Sequence, residues 1–442
     1  MGRTNIDAAR IVQKEEWLMR KTLDGKHLTV LLAMIVLLVL PSLGFAAGKP
    51  EAAAGAKSTA TMFWAGYDGV TEDYRKSLQD AFNAIDPAFQ IDIVPVPWDQ
   101  MKDKLTTALA GGKPPDISII GTRWLLEYEE LGQLAEPDKY VSKATIDDIF
   151  AGAKEGVVKG KLMGLPVAAG ARFMAINDRI GKGVPKTMEE LRELALAANN
   201  PPSHYGLFMV GQKNTELTEF AYYLYAAGGD FFAKNPDGTF GKSTVNSPAA
   251  VKALTFMNQL ANVDKVVQDG YLGMTRIQGH PMFYADKVGY VMIGAWVDSA
   301  MKQAGSTFPV TYAQIPPFAG QKSTPLIITD SIAFFSSAKN LNAAGKFVDF
   351  WYQSEWKGKF DEPAGFPPIT KKASTLPAFN TPMYKVMSEA SANAKGWPLI
   401  ATWDQCQDEI WDAVSKVYLK LATPKEALDA AAAAIDKINN IK

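Results

Sequence analysis

The sequence contains 442 residues, with 46 lysines and arginines against 47 aspartates and glutamates, so its formal net charge at pH 7 is -1. This length exceeds one ordinary hydrophobic core and favours two lobes. The balanced charge, without a basic block, argues against nucleic acid as a partner, because neutralising phosphates takes clustered lysine and arginine. The 10 tryptophans and 15 tyrosines instead suit a protein that stacks aromatic rings on a ligand.

The N-terminal region has the composition of an export signal. Residues 28–47 contain no charged side chain, and basic residues precede them between positions 20 and 26. A basic segment followed by an apolar one is typical of a signal peptide, so we predict a periplasmic or otherwise exported protein. We predict cleavage near Ala46-Ala47, with translation starting at Met19. A retained segment would instead tether the protein to a membrane, because its length borders on that of a spanning helix.

Metal and nucleophile chemistry is scarce in the exported chain. Beyond the signal region it has two histidines, His204 and His280, and one cysteine, Cys406. A single cysteine cannot form an intrachain disulfide, and two separated histidines do not make a zinc motif or a triad. We therefore expect no catalytic residue, no metal site and no cofactor.

The first part of the exported chain alternates strand and helix patterns. Apolar or alternating runs at 60–64, 89–93 and 117–120 predict strands. Between them, Thr71 can cap one helix, and Gly111-Gly112 followed by prolines can end another. The order βαβαβ is the signature of a doubly wound sheet, so the sequence predicts an α/β fold.

Aromatic and charged residues follow these predicted strands. Trp64, Tyr67 and Asp68 stand at the end of the first strand, and Trp124 comes shortly after the third. Ligands of open α/β sheets bind beyond the carboxyl ends of the strands, so we predict that these four residues contact a ligand. The alternatives are that Trp64 packs in the core and that Trp124 is the first core residue of the next helix.

Five sequence motifs follow one another along the exported chain. A Gly-x-x-Pro-Pro-Asp segment occupies 111–116, and a helix pattern ends in Leu-Gly-Gln-Leu at 131–134. A Pro-x-Thr-x-x-Glu-Leu segment at 185–191 contains a helix-capping box, and Asn-Ser-Pro at 246–248 opens another helix. An aromatic turn and a strand lead to a tryptophan across 283–296. These motifs and their order resemble family 1 extracellular solute-binding proteins of ABC importers, the maltose-binding-protein-like group.

The resemblance implies a type II periplasmic-binding-protein fold, in which two lobes, each a doubly wound sheet flanked by helices, are joined by a hinge. The chain would cross between the lobes near Gly170, near Ile315 and after Trp351. The predicted parts are a signal region (1–47), a linker rich in alanine and glycine (48–59), the first lobe (60–170), the second lobe (171–315), a return to the first lobe (316–352) and a C-terminal helical part shared between the lobes (353–442).

The same resemblance implies the substrate-binding component of an ABC importer, which binds a mono- or oligosaccharide between its lobes and delivers it by lobe closure. Trp296, at the end of a predicted strand, is expected to stack on a sugar ring. Arg172 and Asp330 can hydrogen-bond sugar hydroxyl groups, and Phe366 lies in a Gly-Phe-Pro-Pro segment that also resembles the family. The expected partners are a small carbohydrate ligand and the permease subunits, with the protein itself a monomer.

Two other functions fit the same residues. An exported glycosidase needs two carboxylates flanking the scissile bond, and Asp68, Asp116 and Asp330 are candidates. Asp116, beside two prolines, more readily fixes the turn before its strand. A solute sensor that presents its ligand to a chemoreceptor would share the whole sequence. Since no sequence pattern marks a catalytic acid, we predict a binding protein and not an enzyme.

Overall fold

The computed structural model describes residues 57–67, 69–150, 156–212, 217–235 and 240–441. The predicted signal region, nearly all of the predicted linker and the candidate ligand residue Asp68 lie outside the described residues. No described helix is both long and apolar enough to span a bilayer.

Strands and helices alternate through most of the described chain. The strands are β1 (Ser58–Ala65), β2 (Phe89–Val96), β3 (Ile117–Gly121), β4 (Leu134–Ala135), β5 (Val157–Val158), β6 (Lys161–Leu162), β7 (Gly164–Ala171), β8 (Phe173–Asn177), β9 (Tyr205–Leu207), β10 (Phe232–Lys234), β11 (Phe240–Ser243), β12 (Val288–Ile293), β13 (Val310–Ala313) and β14 (Ile327–Phe335). The helices are α1 (Glu72–Ile85), α2 (Met101–Ala110), α3 (Trp124–Glu130), α4 (Lys143–Asp148), α5 (Met188–Ala198), α6 (Thr218–Ala226), α7 (Pro248–Asn258), α8 (Arg276–Tyr284), α9 (Val297–Gln303), α10 (Leu341–Trp351), α11 (Ser354–Ala364), α12 (Pro382–Ser391), α13 (Trp403–Tyr418) and α14 (Pro424–Ile438). From β1 to β3 the order is βαβαβ, as predicted.

The first lobe is built on a six-stranded sheet. Its order is β2-β1-β3-β14-β4, and β7 also pairs with β14. β1 runs parallel to β2 and β3, whereas β14 runs antiparallel to β3, β4 and β7. Every residue of β3 is buried, as expected for a central strand covered on both faces. The predicted α/β sheet is therefore confirmed in this lobe.

Local sequence signals set the ends of the first helices. The Thr71 hydroxyl accepts a hydrogen bond from the Tyr74 amide at 3.2 Å, so it caps α1 as predicted. α2 ends at Ala110, and Gly112 takes the left-handed conformation with φ of 66°. A residue with a Cβ is strained in that conformation, which explains the glycine at this helix end.

Asp116 fastens the turn before β3 to two neighbouring segments. Its buried carboxylate accepts a hydrogen bond from the Thr61 amide through one oxygen, at 2.8 Å, and from the Asn340 amide through the other, at 2.6 Å. Asp116 therefore ties β1 and the start of α10 to this turn. Both oxygens have structural partners, which agrees with the turn-fixing interpretation and gives the glycosidase alternative no support here.

The second lobe is built on a four-stranded sheet of order β13-β8-β12-β9. β8 runs antiparallel to β12 and β13, and β12 runs parallel to β9. Along β8, Met174 and Ile176 pack into one buried cluster, whereas Phe173 and Ala175 pack into another. Because side chains of a strand alternate between its faces, both faces of this sheet are covered.

The start of α5 departs from its predicted capping box. The Thr187 hydroxyl accepts a hydrogen bond from the Glu190 amide at 3.1 Å, as predicted. The Glu190 carboxylate, however, accepts its hydrogen bond from the Lys186 amide, at 2.8 Å, and not from the amide of Thr187. The Glu190 side chain thus binds the residue before the N-cap, so the reciprocal hydrogen bond of a capping box is not formed.

The described chain passes between the lobes at three places. β7 belongs to the first sheet and β8 to the second, so the first passage falls at Arg172, between them. The chain returns between β13 and β14. The third passage lies between Ile369, in the first-lobe core, and Met383, in a second-lobe cluster. It comes well beyond Trp351, because α11 still packs on the first lobe. The predicted lobe bounds stay a prediction, which this sheet membership supports.

A buried ion pair lies behind the strands of the first lobe. On α11, Lys357 and Asp361 pair with each other, and both side chains are fully buried. The Lys357 ammonium also donates a hydrogen bond to the Val167 carbonyl of β7, at 2.8 Å. Val167 is the residue skipped at the register shift between β7 and β14, next to Ala168, which pairs with Asp330. Burial lowers the pKa of Lys357 and raises the pKa of Asp361 to about 7.

Cys406 lies on α13 and is fully buried in the second-lobe core. Burial raises the pKa of its thiol, so little of the reactive thiolate forms at neutral pH. It therefore serves as a small apolar core residue, as expected for an unpaired cysteine.

Candidate functional site

An open cleft lies where the two lobes meet, with about 600 Å³ of empty space when the adjoining solvent is included, and we call it the main cavity. Its first-lobe residues follow β1 and β2, lie in β14 or follow α11, and its second-lobe residues lie on α8 or follow β12. It is lined by Gly66, Tyr67, Trp98, Arg172, Arg276, Ile277, His280, Trp296, Ile328, Asp330 and Phe366. Of the predicted ligand residues, the structure brings together Tyr67, Arg172, Trp296, Asp330 and Phe366 in this cavity.

The first-lobe wall of the main cavity is held together by its own contacts. The Tyr67 hydroxyl donates a hydrogen bond to Asp330 Oδ2 at 2.9 Å. The Tyr67 ring stands edge-on to Phe366, with ring centroids 5.6 Å apart, and lies 6.0 Å from the Trp98 ring. Asp330 comes from the middle of β14 and is 3% exposed. This wall therefore combines an oriented carboxylate with an aromatic surface.

The second-lobe wall is organised around Trp296, which follows β12 and precedes α9. The guanidinium of Arg172 lies over the Trp296 ring, 4.5 Å from its centroid, in a cation–π contact. A Cβ on Gly294 would collide with both the Trp296 ring and the Arg172 guanidinium. The stacked pair therefore requires glycine at position 294. Through this pair, Arg172, at the first passage between the lobes, contacts the cavity wall.

His280 adds a polar group that the sequence reading did not assign to the site. It lies on α8, is 3% exposed, and its ring centroid is 5.9 Å from that of Trp296. Its Nε2 has no hydrogen-bond partner among the described residues. Burial, and then the charges of Arg276 and Arg172, hold the pKa of His280 well below its usual value. A neutral imidazole therefore faces the cavity.

Two of the predicted tryptophans lie elsewhere. Trp64 is 2% exposed and packs in the first-lobe core, 4.6 Å from the Trp351 ring and 5.6 Å from the Phe360 ring. It does not line the main cavity, so the core alternative describes its position. Trp124 is the first residue of α3 and is also 2% exposed, but it stacks on Trp98 with ring centroids 5.9 Å apart.

Trp124 lines a second cleft, with about 920 Å³ of empty space when the adjoining solvent is included, which we call the acidic cavity. It is bounded by Asp99, Lys102, Asp103, Trp124, Val210, Gly211, Gln212, Leu217, Thr218, Glu219, Phe220, Met257, Asp404, Gln407, Asp408, Trp411 and Val414. Trp411, on α13, is half-buried, and its indole nitrogen donates to the Gly211 carbonyl at 3.2 Å. The Trp98–Trp124 pair separates the two cavities.

An ion pair joins the lobes across the acidic cavity. Lys102, on α2 of the first lobe, lies 2.7 Å from the Glu127 carboxylate and also pairs with Asp404 on α13. α13 packs into the second-lobe core through Trp403 and Cys406. Lys102 therefore connects the lobes in the conformation observed. Among the described residues, no group of three or more histidine, cysteine or acidic side chains is placed to hold a metal ion.

Comparison with known sequences identifies related proteins over most of the chain. A family model described as bacterial extracellular solute-binding protein matches residues 68–358. A protein of Brucella abortus named as a binding protein is 29% identical over 388 residues, covering 85% of this chain and 92% of that protein. A maltooligosaccharide ABC transporter solute-binding lipoprotein of Streptococcus pneumoniae is 25% identical over 370 residues, covering 78% and 83%.

Solved structures share the fold. An ABC transporter solute-binding protein of Thermotoga lettingae, bound with alpha-D-tagatose, has a TM-score of 0.77 at 24% identity, covering 86% of this chain and 100% of that chain. The maltotriose-binding protein of Thermus thermophilus, bound with maltotriose, has a TM-score of 0.75 at 21% identity, covering 86% and 99%. The two-lobed, type II periplasmic-binding-protein fold predicted for this chain is thereby confirmed.

Proposed function

The chain belongs to the bacterial extracellular solute-binding protein family, and from this membership we propose that it is the substrate-binding component of an ABC importer that captures a sugar between its lobes. The observation that carries the proposal is the main cavity, where aromatic rings and buried charged groups from both lobes surround one space. The relatives named for maltooligosaccharides and maltotriose support a carbohydrate as the ligand.

The lining of the main cavity suits the two kinds of surface on a sugar. Pyranose rings present apolar C–H faces, which pack well on aromatic rings such as Trp296 and Tyr67. Their hydroxyl edges form strong hydrogen bonds with charged partners such as Arg172 and Asp330. We propose these residues and Phe366 as ligand contacts. Ligand contact by Asp68 stays a prediction. Trp64 packs in the first-lobe core, so we do not propose it as a ligand contact.

Lobe closure follows from the placement of these residues. Tyr67 and Asp330 belong to the first lobe, whereas Trp296 belongs to the second, so a ligand that touches all three binds the closed form best. A ligand shifts an equilibrium only by its difference in affinity for the two forms. Gly365 of the first lobe already lies so close to Ala295 that a Cβ on it would collide with that backbone. The closed form is the one we propose is delivered to the permease.

The test is a binding screen on the chain from Lys57 onward. Tryptophan fluorescence and thermal melting are recorded against mono-, di- and oligosaccharides, with polyols as a matched non-ring set. We expect a shift in both signals for one saccharide class, because a ligand of the native state raises its stability by mass action. A Trp296→Ala variant serves to show that the main cavity is the site.

Silence across the whole panel would overturn the sugar assignment. The glycosidase alternative predicts release of reducing ends from an oligosaccharide, which the same samples reveal. A sensor that hands its ligand to a chemoreceptor predicts the same binding signal, and growth on the bound sugar after deletion of the gene separates that role from transport.

Export is the remaining part of the proposal. The predicted signal region at 1–47 would direct the protein out of the cytoplasm, where a solute-binding protein meets its permease. The intact mass of the exported protein is expected to correspond to a start near Ala47. A mass that includes residues 28–47 would show instead that the segment is retained as an anchor.

A further inference from the structure

The acidic cavity carries an unusual balance of charges. Its described lining includes four aspartates, Asp99, Asp103, Asp404 and Asp408, together with the carboxyl group of Glu219 and one ammonium group, from Lys102. Asp99 and Asp103 are exposed at its mouth, whereas Glu219 is 8% exposed. Clefts lined by one sign of charge concentrate the field and attract ligands of the opposite sign. The cavity therefore favours a cation.

The cavity also has buried polar atoms with no partner. The Thr218 hydroxyl and the Trp124 indole nitrogen have no hydrogen-bond partner among the described residues, and the two residues are 1% and 2% exposed. Buried polar atoms in native proteins nearly always have partners. Both residues line the cavity, so a ligand with hydrogen-bonding groups would supply what they lack.

Lys102 already places one ammonium group in the acidic cavity. The Lys102 ammonium lies 5.7 Å from the centroid of the Trp124 ring and pairs with carboxylates on both lobes. Tryptophan is the best aromatic partner for a cation, and carboxylates supply charge-assisted hydrogen bonds. The half-buried ring of Trp411 lines the same space. Rings and carboxylates together suit a second ammonium group that enters with a ligand.

The acidic cavity adjoins the main cavity. Trp98 lines the main cavity, Trp124 lines the acidic one, and their rings stack at 5.9 Å. Arg276 of the main cavity acts electrostatically on Glu219 of the acidic cavity. The two cavities are therefore neighbours, and a ligand that enters both would have to pass this tryptophan pair.

We propose that the acidic cavity binds a protonated amine, and that the solute carried by this protein is a saccharide bearing an amino group. The saccharide part rests on the proposed function, and the ammonium part rests on the acidic cavity alone. One sugar ring occupies the main cavity, and the amino group lies among the carboxylates and tryptophans of the acidic cavity.

Glu219 supplies a readout specific to this proposal. Burial raises the pKa of Glu219 to about 8, so its carboxyl is mostly protonated at pH 7 in the empty protein. Arg276 opposes this shift, while Tyr223 and Tyr418 also lie near the Glu219 charge. An ammonium group placed beside Glu219 favours the ionised form, so binding should release a proton from it.

The experiment compares disaccharides that differ only in the substituent at C2 of each ring. The β-1,4-linked glucosamine disaccharide and cellobiose differ at the C2 substituents, which are ammonium groups in the first and hydroxyl groups in the second. N,N'-diacetylchitobiose is the acetylated, uncharged form, and spermidine is an amine without a sugar ring. Calorimetry at pH 7 in two buffers of different ionisation enthalpy gives both the affinity and the protons released. We expect the glucosamine disaccharide to bind about tenfold or more tightly than cellobiose.

The variants locate the effect. Glu219→Gln keeps the shape of the side chain, so we expect it to weaken the glucosamine disaccharide about tenfold, to leave cellobiose unchanged and to abolish the proton released by Glu219. Asp408→Asn tests the cavity without altering a buried group, and a loss of about threefold is expected, since this carboxylate is exposed. Asp412→Asn, one turn further along α13 and paired with Lys416 outside the cavity, is the matched control and should change nothing.

Each result decides the proposal. Tighter binding of the aminated disaccharide that Glu219→Gln removes supports both parts. Spermidine binding that the same variant removes, without saccharide binding, supports the ammonium site and overturns the sugar assignment. Equal affinity for the glucosamine disaccharide and cellobiose overturns the amine while leaving sugar binding intact. No binding by any probe overturns both.

Discussion

The two walls of the main cavity differ in how their polar groups are held by other side chains of the protein. On the first-lobe wall, the Tyr67 hydroxyl already donates to Asp330, and the Tyr67 ring packs edge-on to Phe366. On the second-lobe wall, His280 Nε2 and Trp296 Nε1 have no hydrogen-bond partner among the described residues. A buried polar group left without a partner costs about 1–3 kcal/mol.

This difference indicates what a ligand contributes to each lobe. The first wall rests on β14 in the centre of its sheet, and the Tyr67 hydroxyl orients its Asp330 carboxylate. The second wall follows the end of β12 and lies on α8, and we propose that a ligand in the cavity supplies the partners of its polar groups. Changes behind the first wall should therefore act mainly on stability, and changes in the second wall mainly on binding.

The largest expected loss of stability comes from removing the buried ammonium group of Lys357, which lies behind the first wall. Lys357→Met leaves the Asp361 carboxyl in the core without its partner, and unfolding in urea should show a loss of about 3–5 kcal/mol. Adding Asp361→Leu should restore most of this loss. Lys143→Met, which removes one partner of the exposed pair with Asp147, is the control and should cost less than about 1 kcal/mol.

The Lys357→Met loss should also depend on pH. A folded-state pKa of Asp361 above its unfolded value means that the native state holds the proton more firmly. The penalty is then complete above the folded-state pKa and fades as pH falls toward the unfolded value. The difference from the parent protein should be larger at pH 8 than at pH 5, and the opposite order would contradict a buried, raised carboxyl.

Separate substitutions of two buried tryptophans, Trp296 and Trp64, test the difference between the two walls. Trp296→Ala should weaken saccharide binding by about 2 kcal/mol or more, the loss typical of a central aromatic contact. Trp64→Phe should lower the melting temperature without changing affinity, because Trp64 packs against Trp351 in the core. Titration by calorimetry beside a thermal melt separates the two results. Equal losses of affinity would mean that the walls do not differ as described.

A milder change sharpens the role of the first wall. Tyr67→Phe removes the hydrogen bond to Asp330 while keeping the ring against Phe366. We expect a loss of about 1–2 kcal/mol in ligand affinity, because the carboxylate is no longer held in one orientation. Calorimetry on the variant checks this value, and Tyr140→Phe, a half-buried tyrosine stacked on Phe334 outside the cavity, serves as the control.

The smallest expected effect concerns His280. Its pKa is lowered in the folded state, so the unfolded chain binds the extra proton and stability falls as pH drops through about 6.5. Between pH 7 and pH 6 this contribution is about 0.7 kcal/mol, and His280→Gln should abolish it. Ligand affinity should stay constant over the same interval, since the imidazole remains neutral. A steep change in affinity would indicate a charged His280 in the site.

Local patterns predicted much of the fold because they act over a few residues. Thr71 caps its helix through the amide three residues on, and β3 is apolar on both faces because it is central. The place of Trp296 at a strand end predicts that it faces the cleft. Trp64 has the same place but faces the core, which only tertiary packing decides. His280 had no local signal, since a helix brings it to the cavity from far along the chain.

The single, buried cysteine has a practical consequence. Because Cys406 is fully buried, a cysteine introduced at an exposed position would be the one readily accessible thiol of the described chain. Gln100 is exposed and lies two residues beyond Trp98, which lines the main cavity. A Gln100→Cys variant coupled to an environment-sensitive dye would convert occupancy of the cleft into an optical signal, so the protein could serve as a reagentless sensor for its own solute.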